Sequence, residues 1–180
     1  MTQLSPTFTT LFSAERIARR IDELAADLAR EAPPEGFAVV GPLKGAVMLI
    51  ADLARALRRH GVPVTLDFLG LSSYGAGTVS SGTVLLLHDL SHPVAGRHVL
   101  LVDDIVDTGR TLRFAREHLL GKKPASLRTL VLLDKPSRRV VEVQVEHVGF
   151  DIPDLFVVGY GTDLDQAYRD LDFVGVLGGG

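Results

Sequence analysis

Cysteine, tryptophan and asparagine are absent from this 180-residue chain, and lysine occurs only 4 times against 15 arginines. Without cysteine there can be no disulfide, no thiolate-ligated zinc and no iron–sulfur cluster, and nothing asks for an oxidising compartment. The missing asparagine and scarce lysine fit either a heat-stable protein or a GC-rich genome, and composition leaves both open. No apolar run approaches the ~20 residues that span a bilayer, and the N-terminus lacks a basic segment followed by an apolar stretch and cleavage site. A cytoplasmic protein without a membrane partner is expected. The net charge of -3 is far from the cationic surplus of phosphate-backbone binders, which disfavours nucleic acid. What is plentiful is apolar: 46% of residues are hydrophobic and the mean hydropathy is +0.23. That supplies a sizeable core, and the length fits one domain across residues 1–180.

The apolar residues are arranged in two alternating textures. Ile17, Ile21, Leu24 and Leu28 recur at helical spacing after Ser13, a candidate N-cap, and Pro33-Pro34 end the run. Phe37 to Val40 reads as a buried strand, followed by the helical stripe Ala46, Leu49, Ile50, Leu53, Ala54 and Leu57. Strands are predicted over Val64 to Leu69, Val84 to Leu87, Val99 to Val102 and Leu127 to Leu133, with a helix carried by Leu112, Ala115 and Leu119. Val141, Val143 and Val145 alternate with polar residues as a half-buried strand should, and Leu155 to Val158 closes the series. Residues 72–82, rich in Gly and Ser, cannot pack a core and are predicted to form a mobile loop. Alternating strands and helices predict an α/β fold with a doubly wound, mostly parallel sheet, whose strand C-termini line the edge where ligands bind.

One segment delivers chemistry to that edge: Val99-Leu100-Leu101-Val102-Asp103-Asp104-Ile105-Val106-Asp107-Thr108-Gly109-Arg110-Thr111. A buried strand ends in two carboxylates, and the next turn offers two hydroxyls and a glycine just before a helix. Amides at a helix start point outward, so the turn is suited to a phosphate. Two carboxylates beside a phosphate repel it unless a cation or the ligand's hydroxyls intervene, which implies magnesium and a sugar. Any one of Asp103, Asp104 and Asp107 alone reads as a turn cap; the whole pattern favours a site. His88 and His92 are four apart but lie beside Pro93 in strand context, which argues against zinc. Gly75-Ala76-Gly77 lacks the third glycine and the helix of a dinucleotide fingerprint.

This segment resembles the phosphoribosyl diphosphate motif of the type I phosphoribosyltransferases. Val40-Gly41-Pro42-Leu43-Lys44-Gly45, Leu133-Asp134-Lys135-Pro136-Ser137-Arg138-Arg139 and residues 149–161 are similar to the hypoxanthine-guanine branch, in its bacterial form. The resemblance implies that fold, with a small hood made by the N- and C-terminal segments, a magnesium cofactor, and a homodimer or homotetramer. It implies that Leu43, Lys44 and Gly45 form a pyrophosphate loop with a cis peptide before the lysine. Asp103, Asp104, Asp107, Thr108, Gly109, Arg110, Thr111 and Arg169 join them in binding phosphoribosyl diphosphate. Lys135, Phe156, Val157 and Asp163 are implied as purine contacts, Asp163, Asp103 and Asp104 as metal ligands, and Ser73-Tyr74 as the mobile loop. On its own, Phe156 in an apolar strand reads as core. The chain departs from the branch in having Asp-Asp for the commoner Glu-Asp pair, Gly70 and Ser72 at positions basic in vertebrate-like enzymes, and Leu164 where an aromatic is frequent.

The implied reaction moves a 5-phosphoribosyl group to N9 of hypoxanthine or guanine with loss of pyrophosphate, Asp107 acting as general base on N7. A xanthine-preferring transferase is the nearer alternative. An RNA-binding attenuator of pyrimidine genes with uracil phosphoribosyltransferase activity would need a basic RNA face.

Overall fold

Residues 7–73 and 83–178 are described by the computed structural model. Helix α1 (Ala14–Arg30) begins where expected: Ser13 is extended, with φ -73 and ψ 162, and its hydroxyl accepts from the Arg16 amide at 3.4 Å. Its stripe of Ile17, Ile21, Leu24, Ala25 and Leu28 is buried. Helix α2 (Val47–Arg59) buries Leu49, Ile50, Leu53, Ala56 and Leu57. Each such leucine removes apolar surface worth roughly 1.5–3 kcal/mol from water. These two helices cover one face of a six-stranded sheet, and α3 (Arg110–Gly121) covers the other.

The sheet runs β4-β3-β2-β5-β6-β7, with β2 (Phe37–Leu43), β3 (Val64–Ser73), β5 (His98–Val106), β6 (Ser126–Asp134) and β7 (His147–Asp151) parallel. Only β4 (Val84–His88) is antiparallel, paired to β3 at the edge. Burial on both faces explains the continuous apolar runs, since alternate residues of β5 feed opposite cores: Leu100 and Val102 join α1 and α2, whereas Val99 and Leu101 join α3. A second, three-stranded sheet joins the chain ends: β1 (Phe8–Phe12) pairs with β9 (Val174–Leu177), which pairs with β8 (Val157–Val158), all antiparallel. This is the expected hood, and the Gly178 amide donates to the Thr7 carbonyl at 2.9 Å to extend it.

Two sequence expectations are corrected. Residues 141–145 form no strand; the edge strand is β7, further along. Their alternation in burial is real, with Val143 and Val145 packed on the α3-side core, but the segment is a strap without ladder partners. Its start is held by the Val140 and Val141 amides, which both donate to the Thr108 carbonyl, and its end by the Glu146 amide on the Thr129 carbonyl. Second, β5 does not stop at Val102. It continues through both aspartates to Val106, with Asp103 in register with Val131 and Val106 with Asp134. A neighbouring strand of equal reach supplies the ladder bonds that outweigh the low strand preference of aspartate.

Candidate active site

The C-terminal ends of β2 and β5 meet the first turn of α3 and the 161–169 segment of the hood around a cleft of about 370 Å³. Of the residues predicted from sequence, Leu43, Lys44, Gly45, Asp103, Asp104, Asp107, Thr108, Gly109, Thr111, Asp163 and Arg169 line it. Pro42, Leu71, Ile105, Val106 and Leu112 complete the wall; they look like ordinary strand and helix residues, and only the folded edge singles them out.

Asp103 and Asp104 lie at the floor, 6% and 8% exposed. The Asp104 amide donates to the Asp103 carboxylate at 3.0 Å and the Ile105 amide to the Asp104 carboxylate at 2.9 Å. Burial, joined by the Asp104 charge, pushes the Asp103 carboxyl well above the ordinary aspartate range. Burial also raises that of Asp104, against the pull of its hydrogen bonds and of the Arg169 guanidinium. An acid pair in this state accommodates added positive charge, and its hard oxygens suit magnesium. Among the described residues no group of three or more His, Cys, Asp and Glu is placed to hold a metal. One or two carboxylates completed by substrate oxygens is how magnesium is commonly held, so the donor set fits.

The pyrophosphate-loop candidate carries the cis peptide expected between Leu43 and Lys44. A Cβ on Gly45 would stand 2.0 Å from an Asp104 carboxylate oxygen, and one on Gly161 would stand 2.1 Å from the Gly45 carbonyl. Glycine is therefore favoured twice: at Gly45 the loop packs directly on the Asp104 carboxylate, and at Gly161 backbone meets backbone. Arg169 is fixed from the hood side: it donates to the Gly161 carbonyl at 2.6 Å and pairs with Asp163 at 2.7 Å. Its buried Nε has no hydrogen-bond partner among the described residues.

The opposite wall is the turn into α3. Gly109 takes φ 84 and provides no side-chain cap, so the first amides of α3 keep their capacity for an anion. Asp107 is 41% exposed at its side chain and receives the Arg138 Nε at 3.2 Å, a partner that sequence reasoning missed because it is 31 residues distant.

Five predicted residues among those described do not line the cleft. Arg110 points the other way, lining a separate depression with Arg113, Phe114 and Glu117, because 110, 113, 114 and 117 share one helical face. Lys135 is 6% exposed at the end of β6, its amide bonded to the Val106 carbonyl at 3.0 Å. Val157 is buried in β8, while Phe156 beside it is 56% exposed. Phe156 is thus no core residue, contrary to its reading from an apolar strand alone. Ser73 ends β3, and Tyr74 with the rest of the predicted loop to residue 82 lies outside the described residues.

Residues 8–165 match the model of the phosphoribosyl transferase domain. The chain is 44% identical over 175 residues to the hypoxanthine-guanine phosphoribosyltransferase of Mycobacterium avium, covering 94% of this chain and 85% of that one. It is 45% identical over 168 residues to the hypoxanthine phosphoribosyltransferase of Haemophilus influenzae, covering 92% of each. Among solved structures, the Trypanosoma cruzi hypoxanthine phosphoribosyltransferase in complex with the product IMP superposes with a TM-score of 0.88 at 40% identity, over 99% of this chain and 97% of that one. With its acidic floor, glycine-lined loop at the end of β2 and uncapped helix in one cleft, the chain belongs to the phosphoribosyltransferase family, on its hypoxanthine-guanine branch.

Proposed function

We propose that residues 1–180 act as one cytoplasmic purine-salvage domain that transfers the 5-phosphoribosyl group of phosphoribosyl diphosphate to N9 of hypoxanthine or guanine, yielding IMP or GMP and pyrophosphate. The observation that carries this reading is the placement of a buried acid pair between two anion-receptive walls. A ribose carrying phosphate on one side and diphosphate on the other has that distribution of hydroxyls and charge. The 5-phosphate takes the turn from Thr108 to Thr111, where hydroxyls, main-chain amides and the start of α3 converge. The diphosphate takes the Lys44-Gly45 loop and Arg169, and the ribose hydroxyls face Asp103 and Asp104.

As the bond from C1′ to the diphosphate oxygen breaks, positive charge grows on the ring and negative charge on the leaving group. Arg169 and the amides at Lys44 and Gly45 receive the negative charge, while the carboxylates of β5 stand below the ring. N9 forms the new bond to C1′, and the N7 proton passes to a carboxylate oxygen of Asp107, so that the base becomes neutral as the glycosidic bond completes. Arg138, whose Nε donates to the Asp107 carboxylate at 3.2 Å, orients that oxygen. The exposed ring of Phe156 offers a stacking platform for the base, Val157 its main chain, and Lys135 a donor for the 6-oxo group. Magnesium held by Asp103, Asp104 or Asp163 with substrate oxygens would supply further positive charge to the diphosphate. Leu66, Leu85 and Leu87, exposed on β3 and β4, support self-association as a homodimer or homotetramer.

The test is a spectrophotometric assay of hypoxanthine, guanine and xanthine, each with phosphoribosyl diphosphate and magnesium, with a chelator control. Turnover of the first two, abolished by chelator, is the expected result. No turnover of any oxopurine defeats the reading, and preference for xanthine redirects it.

A further inference from the structure

The segment that carries Asp163 and Arg169 contains a backbone oddity that the reaction as described does not use. Leu164 and Ala167 pair across a two-residue turn, the Ala167 amide donating to the Leu164 carbonyl at 2.9 Å and the reverse bond measuring 3.2 Å. The two residues in the turn are Asp165 with φ 50 and Gln166 with φ 70, and Tyr168 follows with φ 73. A tight hairpin with both central residues left-handed is ordinarily filled by Asn-Gly or Asp-Gly, because glycine adopts that conformation without steric cost. Here the second position is a long-chain glutamine in an exposed turn, where no core packing rewards the choice. Backbone outliers of this kind cluster where a side chain has to be aimed.

The Gln166 side chain has a target. Its Oε1 accepts from the Lys44 Nζ at 3.0 Å, across 122 residues of sequence. Its main-chain amide donates to Asp163 Oδ2 at 2.7 Å, and Asp163 Oδ1 pairs with Arg169. Lys44, Asp163 and Arg169 all line the cleft, whereas Gln166 does not. One residue thus joins the loop that precedes α2 to the arginine-bearing loop of the hood, through its side chain on one side and its backbone on the other. The close backbone approach of Gly161 to the Gly45 carbonyl also joins these two loops. A bond this exposed contributes little to folding.

We propose that Gln166 is a positioning residue for the leaving-group side of the cleft, latching the Lys44 side chain to the Asp163–Arg169 loop so that both walls meet the diphosphate in a fixed relation. This rests on the phosphoribosyl-transfer reading and extends it to a residue outside the cleft. The latch acts on the diphosphate-bearing ligands and not on the purine, so its removal separates their Michaelis constants.

Three variants test it in forward and reverse steady-state kinetics with thermal melts: Gln166→Met, which keeps the length and loses the acceptor, Gln166→Gly, which suits the turn and loses the acceptor, and Gln166→Glu, which keeps an acceptor. Gln166→Met and Gln166→Gly are expected to raise KM for phosphoribosyl diphosphate and pyrophosphate about tenfold, with KM for hypoxanthine within twofold and kcat within threefold. Gln166→Gly is expected to melt no lower than wild type, and Gln166→Glu to keep both constants near wild type. Stability and donor affinity moving in opposite directions in Gln166→Gly cannot come from a merely structural role. Unchanged donor KM in Gln166→Met and Gln166→Gly, or a Gln166→Glu protein as impaired as they are, overturns the latch while leaving the activity in place. A wild-type chain that makes no nucleotide overturns both.

Discussion

Asp89, just past the end of β4, and the Asp103–Asp104 pair, within the last residues of β5, are both acids in the C-terminal reach of a strand, and they are met in opposite ways. Asp89 receives the Lys122 ammonium on Oδ2 at 2.6 Å and the Leu90 amide on Oδ1 at 2.7 Å, and the His118 ring nitrogen stands 2.9 Å from that same Oδ1. Burial works against the Asp89 charge, but these hydrogen bonds hold its carboxyl well below the ordinary aspartate range. Asp103 and Asp104 are more deeply buried, face each other, and are raised. The first arrangement is complete within the protein and ties the segment after β4 to α3. The second is complete only with something added. A protein tolerates such incompleteness where a ligand supplies the balance.

The sharpest way to break this contrast is Asp103→Asn. Removing one of two facing buried charges is expected to raise Tm by a few degrees, from a gain on the order of 1–2 kcal/mol. Turnover should fall a hundredfold or more. A variant that loses stability together with activity would put Asp103 in the same class as Asp89. Next in size, Asp107→Asn is expected to lower kcat tenfold or more with little change in donor affinity, measured by single-turnover kinetics and donor titration. Phe156→Ser should raise the purine KM about tenfold, since a base–aromatic stack is worth about 1–3 kcal/mol. A side chain 56% exposed should leave the melting curve in place. The smallest effect belongs to the satisfied acid. Asp89→Asn is expected to lower Tm at neutral pH by about 2–4 °C, an interaction near 1 kcal/mol in a chain of this size, because solvent screens a side chain 41% exposed. Its carboxyl is depressed in the fold, so the stabilisation is whole above the ordinary value of 3.8 and drains away as pH falls below it. The Tm gap between wild type and variant should narrow through that acid range.

The parts of the site that could be read from sequence are those written in one stretch. Residues 99–111 place floor and anion turn within one strand and one helix start, so local pattern sufficed, as did the 3.6-residue stripe and Ser13 cap of α1. What escaped depends on distant pairing. Nothing in Val84–His88 says that it runs antiparallel, because a strand's direction is set by the path of the loop before it. The alternation at 141–145 reported half-burial correctly and hydrogen bonding wrongly, since a strap lying on a core alternates as a strand does. The hood strands β1 and β9 are short and find each other only across the whole chain. Gln166 gave no signal at all, and Arg138 stood in a family-like segment with nothing to mark it as the partner of Asp107: an exposed polar residue declares its role only when its partner is known.

The pairing of β1 with β9 has a consequence for the order of events in the cell. Closing so long a loop is entropically costly until the intervening sheet has drawn the ends together, and a ribosome delivers the N-terminal strand long before its mate. While Val174–Leu177 is still unmade, β1 has nothing to bind and the Asp163–Arg169 arm has no anchor on that side. The turn from Thr108 to Thr111 can thus form early in synthesis, whereas the second wall of the cleft waits for Val174–Leu177 to be made.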